Sequence, residues 1–146
     1  MSSSNWLRDF QCLDFPDIRY LIYVFGIDFH GTFRPFYVGE TSKGVGARIG
    51  DYISKQKTAS TDLQVGTAVE RFKECNHKVK VYYKESDKDK KARKAEENKW
   101  KKKAREKAPL LLNDLRFRKV TPEEREKKIR DWVDVFLSEL KTEKVS

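Results

Sequence analysis

Two tyrosines, Tyr23 and Tyr37, lie in neighbouring segments dense in β-branched and aromatic residues. Such residues favour strands, and the two strands of one hairpin would let these phenols meet across the ladder. Arg48 stands four residues before Tyr52, so on a helix both side chains project from one face. That sets a permanently charged, planar guanidinium beside a phenol, and guanidinium donors bind phosphate oxygens in pairs. A phenol has an unperturbed pKa of about 10, and nearby cations favour its phenolate form. Chemistry at a phosphate is what these groups suit.

Each residue also has an ordinary reading. Tyr23 and Tyr37 fit a strand core, Tyr52 continues an apolar stripe, and Arg48 suits a solvated helix face. Glu97 lies among lysines, where an i,i+4 pair with Lys101 needs no function, and Glu96 precedes it directly. The run from Lys88 to Lys107 is either a solvated face or a contact for a polyanion. His30 and His77 lack metal-ligand company and read as turn and strand-edge residues, while Cys12 and Cys75 form no close pair.

The elements that must position these groups follow from patterning. Arg19 to Phe29 reads as a strand, His30-Gly31-Thr32 as a turn and Arg34 to Val38 as the returning strand. Val45, Ile49, Tyr52 and Ile53 share a helical face after the connection from Gly39 to Gly46, and Leu63 to Glu74 predicts a second helix. Alternation returns from Lys78 to Lys84, with Val79, Val81 and Tyr83 on one side. Asp87 to Lys107 predicts a long charged helix whose apolar positions are Ala92, Trp100, Ala104 and Ala108. Thr121, Pro122 and Glu124 mark the start of a last helix with a capping box. The expected architecture is α/β: a three-stranded mixed sheet flanked by helices, with an added C-terminal amphipathic helix. Residues 1–16 read as an N-terminal extension, 17–115 as the main domain and 116–146 as a C-terminal helical extension.

The chain has 146 residues, a formal net charge of +9 and 12% aromatic residues. Its length suits one domain, and its aromatic content predicts a folded core rather than disorder. The positive balance favours polyanions. No apolar run approaches the roughly 20 residues of a membrane span, and the first residues lack a secretion-signal layout. The expectation is a soluble, intracellular protein.

Leu21-Ile22-Tyr23 and Tyr37-Val38-Gly39, followed by Glu40-Thr41-Ser42, a helix bearing Arg48, then Glu97-Asn98-Lys99-Trp100 and Pro109 to Asn113, resemble the motif series of the GIY-YIG nuclease family. The likeness spans about Arg19 to Asp114, with Leu21 in place of the first glycine and Val38 in place of isoleucine. It implies a small α/β nuclease fold and hydrolysis of DNA phosphodiesters by an endonuclease. It implies Tyr23 as general base on water with Tyr37 assisting or exchanging that role, Arg48 and Tyr52 at the phosphate, and Asn113 holding a water or the phosphate backbone. It also implies one Mg²⁺ or Mn²⁺ on Glu97, with Glu96 the competing carboxylate. Lys43, Lys99, Lys102 and Lys103 are the candidate nucleic-acid contacts. Too little chain follows the core for a large reading domain, so target choice would fall to loops, a homodimer or a specificity partner. The rival readings are a non-catalytic nucleic-acid-binding module on the same fold and a subunit that docks a partner through its last helix.

Overall fold

The computed structural model describes residues 10–12, 19–42, 60–108, 110–116 and 121–143. The centre of the fold is a hairpin of β2 (Leu21–Phe29) and β3 (Thr32–Thr41). His30 and Gly31 both take positive φ at its tip, the backbone twist that joins two right-twisted strands most directly. After α1 (Ser60–Glu74) the chain returns as β4 (Val79–Glu85) on the other side of β2. Then come α2 (Lys90–Arg105), a short 3-10 turn (Leu112–Asp114) and α3 (Pro122–Glu143). Two residues near the N-terminus, β1 (Gln11–Cys12), pair with β4. Among the described residues the strand order is β1-β4-β2-β3, and every pairing is antiparallel.

The expected sheet thus needs two corrections. It is antiparallel rather than mixed, and the segment expected to be only an extension supplies a short fourth strand. The first follows from where β3 ends. Thr41 lies beside Leu21, whereas β4 begins with Val79 beside Ile27. The connection through α1 therefore runs the length of the sheet, and β4 points along β3 but pairs with β2.

Side-chain alternation divides the sheet into two faces. Leu21, Tyr23, Phe25, Ile27 and Tyr83 belong to one core cluster with Val65, Ala68, Val69 and Phe72 of α1 and Ile129, Trp132, Val133, Phe136, Leu137 and Leu140 of α3. Ile22, Val24, Val38 and Phe33 pack on the other face with Phe10, Trp100 and Ala104. The pairing shifts register between Phe25 and Gly26, leaving Phe36 as an extra residue in β3. Phe36 turns inward against Phe72, at 4.8 Å between ring centroids, and against Trp132 at 6.0 Å.

The helix starts follow the chemistry anticipated for them. Thr121 Oγ1 accepts from the Glu124 amide while Glu124 accepts from the Thr121 amide, each at 3.1 Å, the reciprocal capping box. Asp89 caps α2 by accepting from the Ala92 amide at 2.9 Å. Around α2 the buried residues are Arg93, Glu97, Trp100 and Ala104. Ala92, expected on that apolar stripe, is exposed, so two charged side chains occupy the face that propensity alone would give to alanine. α3 shares the core of the β2–β3 hairpin rather than standing apart from it. Among the described residues no helix is long and apolar enough to cross a membrane.

Candidate functional site

β3 is the edge strand of the described sheet, and Tyr23, Tyr37 and Asn113 gather around its segment from Tyr37 to Glu40. Phe25 pairs with Tyr37 and Tyr23 with Gly39, so both phenols rise from one face. Their ring centroids are 6.3 Å apart with the planes tilted by 35°. Tyr23 is buried, with Phe25 edge-on at 5.8 Å; Tyr37 is half-buried. The Tyr23 ring lies directly over Gly39. A Cβ there would sit 2.5 Å from both Cζ and Oη of Tyr23, closer than any real Cβ contact. Gly39 has no positive φ to explain it. Its role is room: the missing side chain lets the phenol cross β3 toward the sheet edge.

Asn113 holds the same segment from outside. Its Oδ1 accepts from the Val38 amide at 2.9 Å, and its Nδ2 donates to the Val38 carbonyl at 2.7 Å. The side-chain amide takes the place of a neighbouring strand on an edge that would otherwise leave backbone groups unpaired. The 3-10 turn that carries it is anchored by Leu111 in one core cluster and Leu112 in the other. In this arrangement Asn113 is a clamp on the backbone between Tyr37 and Gly39.

Glu97 comes from the opposite side. It lies on α2, whose Trp100 and Ala104 cover the face of the sheet away from Tyr23. Glu97 is nonetheless tied to β3 through charge. Glu40 Oε1 accepts from Arg93 Nε at 2.6 Å, and the Lys94 ammonium lies 3.4 Å from Glu40 Oε2 and 3.5 Å from Glu97 Oε1. Lys101 adds a longer pair to the same Glu97 oxygen at 3.8 Å. Burial alone would raise the Glu40 carboxyl, but the Arg93 hydrogen bond and the Lys94 charge outweigh it and hold the group below the usual carboxylate range. Arg93 is itself buried, donates to the carbonyls of Asp87 and Lys88, and stacks over Tyr20 at 5.3 Å.

The neighbouring carboxylate is employed elsewhere. Glu96 accepts from Lys84 at 2.7 Å, Ser86 at 2.5 Å and Trp100 at 3.4 Å, which fastens α2 to β4. Burial opposes ionisation of Glu96, yet Lys84 and Ser86 win and its pKa is lowered. Of the two adjacent glutamates, Glu97 is the one turned toward the β3 edge.

The structure therefore brings Tyr23, Tyr37 and Asn113 around one strand segment. Glu97 stands behind that segment, linked through Lys94 to Glu40. Arg48, Tyr52 and Lys43 lie outside the described residues. Lys99 and Lys103 each sit 5.3 Å from the Trp100 ring, and Lys102 is exposed. Sequence reasoning passed over Glu40 and Arg93 as site residues. A spacing signal existed, since Arg93, Glu97, Trp100 and Ala104 recur at helical intervals, but a buried arginine is rarely expected.

A divalent cation on Glu97 can be tested against this geometry. Glu97 and Glu40 present oxygen atoms to one cationic position, which the half-exposed Lys94 ammonium fills. Hard oxygen donors of this kind fit Mg²⁺ or Mn²⁺, which keep most of their waters and need few protein ligands. Among the described residues no group of three or more His, Cys, Asp or Glu gathers for a metal. The fit is thus to a sparsely ligated ion rather than to a cage. Comparison of the chain with family models, with curated proteins and with solved structures finds no match.

Proposed function

We propose that this protein is a metal-dependent endonuclease acting on DNA phosphodiester bonds, with its active centre astride the edge of β3. The observation that carries this reading is the Tyr23–Tyr37 pair, whose inner phenol lies over Gly39 one residue from the Glu40–Lys94–Glu97 chain of charge. At an edge strand, groups from both faces of a sheet can reach a common substrate.

The roles follow from the chemistry of each group. Tyr23, packed against Phe25 and Tyr37, takes a proton from water, and the more exposed Tyr37 assists or exchanges that role. Arg48, outside the described residues, would supply a charged fork for the phosphate, with Tyr52 four residues on in the sequence. Asn113 keeps Val38, and with it both flanking motif residues, at fixed register. Glu97, aided by Glu40, would hold one Mg²⁺ or Mn²⁺, and the ion supplies Lewis-acid stabilisation of charge on the phosphate.

A second reading also has an observation in its favour. Glu97 is closed in by two lysines and Asn113 is occupied with backbone, as suits a binding module that no longer cuts. Incubation of supercoiled, linear, branched and single-stranded DNA with Mg²⁺ or Mn²⁺ separates the two. Nicking or cutting that is lost in a folded Glu97→Gln variant is expected. Binding without cleavage on every substrate and metal overturns the nuclease reading.

A further inference from the structure

The charge of this protein is divided between the two flanks of its sheet. α2 carries nine basic residues against two acidic ones, a net +7. On the other flank α1 has two basic against three acidic residues and α3 five against seven, a combined −3. The acidic flank also neutralises itself internally. Arg71 donates to Asp134 and Glu74, and Arg130 pairs with Glu70 and Glu74.

On α2, by contrast, Lys90, Lys91, Lys99, Lys102 and Lys103 are exposed and form no ion pair with a carboxylate among the described residues. The helix runs about 24 Å at 1.5 Å per residue, and Lys91, Lys99 and Lys102 lie along its outward side, away from Arg93, Glu97, Trp100 and Ala104. Duplex DNA presents a phosphate charge about every 1.7 Å of its axis. A row of exposed ammonium groups along one helix matches such a partner. The apolar residues of α2 are either packed in the core or are alanines, so the helix has no apolar face to insert into lipid.

We infer that the outer face of α2 is the surface on which a nucleic-acid backbone lies, leaving the α1–α3 flank free of it. The inference rests on the nucleic-acid reading given above and extends it by assigning the flank of approach. α2 packs on β3, so a strand on its outer face is carried close to the β3 edge on the side of Lys94 and Glu97. Binding is then governed chiefly by release of counterions from the duplex.

Binding of a fluorescent 20-base-pair duplex in EDTA, followed by anisotropy across a salt series, tests this without requiring cleavage. Two triple variants of equal charge change are compared: Lys91→Gln/Lys99→Gln/Lys102→Gln on α2, and Lys73→Gln/Lys127→Gln/Lys141→Gln on the opposite flank. Circular dichroism verifies that both are folded. The α2 triple is expected to weaken binding by at least about fivefold and to flatten the slope of log K against log salt by about 2–3. The other triple is expected to stay within about twofold. Equal losses in the two triples, or none in the α2 triple, overturn the inference. So does tighter α2-dependent binding to phosphatidylserine vesicles than to the duplex. A parent protein that binds through α2 but never cuts defeats the nuclease reading and leaves this inference standing, whereas cutting that is indifferent to the α2 lysines defeats only the inference.

Discussion

Replacing Gly39 by alanine adds one methyl group at the most crowded point of the site. The new Cβ would lie 2.5 Å from Cζ and Oη of Tyr23 and 2.9 Å from Cε2, so the ring must shift or β3 must bow outward. Tyr23 has little freedom to comply: it is 2% exposed, with Phe25 edge-on to one side and Tyr37 tilted against the other. Overpacking of this kind costs about 1–3 kcal/mol. Relief of the entropic penalty of glycine in a strand returns about 0.5–1 kcal/mol. The net expectation is a loss of about 1–2 kcal/mol, which for a chain of this size lowers Tm by roughly 3–8 °C. Phosphodiester cleavage should fall by a larger factor than stability implies, because the displaced group is the candidate base. Thermal denaturation of Gly39→Ala, Tyr23→Leu and the double variant provides the assay. Leucine vacates the space over Gly39, so the double variant should be more stable than the sum of the single losses predicts, by about 1 kcal/mol. Strict additivity, or an unchanged Tm in Gly39→Ala, would refute the packing argument.

The charged link behind β3 gives two further expectations. Arg93→Met leaves Glu40 with Lys94 as its one counter-ion among the described residues and should cost about 3 kcal/mol in urea denaturation, near the lower end for breaking a buried pair; pairing it with Glu40→Gln should restore part of that loss, and a stability equal to the parent would show the pair contributes nothing. Glu40 and Glu96 both ionise more readily in the fold than at their ordinary value of 4.5, so their contribution is complete above that pH and is lost as pH falls through the lower folded values. Urea midpoints should therefore decline from about pH 4.5 downward, less steeply in Arg93→Met, and a flat profile between pH 6 and 3 would contradict the assignment.

Much of the scaffold was legible because local signals agreed with tertiary demands. The β2–β3 hairpin, β4 and the capped start of α3 all appear where alternation, turn residues and the Thr121–Glu124 box put them. α1 begins at Ser60, somewhat before the expected Leu63. β1 was not legible: two residues carry no periodicity, and only the exposed edge of β4 makes them a strand. Strand direction escaped for a related reason, since hydrophobic pattern does not reveal at which end of the sheet a helix delivers the chain. In the site, the meeting of Tyr23 and Tyr37 followed from hairpin spacing. The use of Asn113 as a strand-edge clamp did not, because an amide bonding to backbone 75 residues away leaves no trace in its neighbours. Arg93 and Glu40 were hidden by their charge, which suggests solvent unless the partner is known.

The central claim is that a phenol on one face of the sheet and a carboxylate on the other serve one phosphate at the β3 edge. Single-turnover cleavage by Tyr23→Phe, Glu97→Gln and the double variant measures it most directly. Groups acting as a unit are non-additive, so each single change should slow cleavage by about 100-fold or more and the double should be scarcely slower than the worse single. Independent, multiplying losses, full activity in either single variant, or no cleavage by the parent protein would contradict the account.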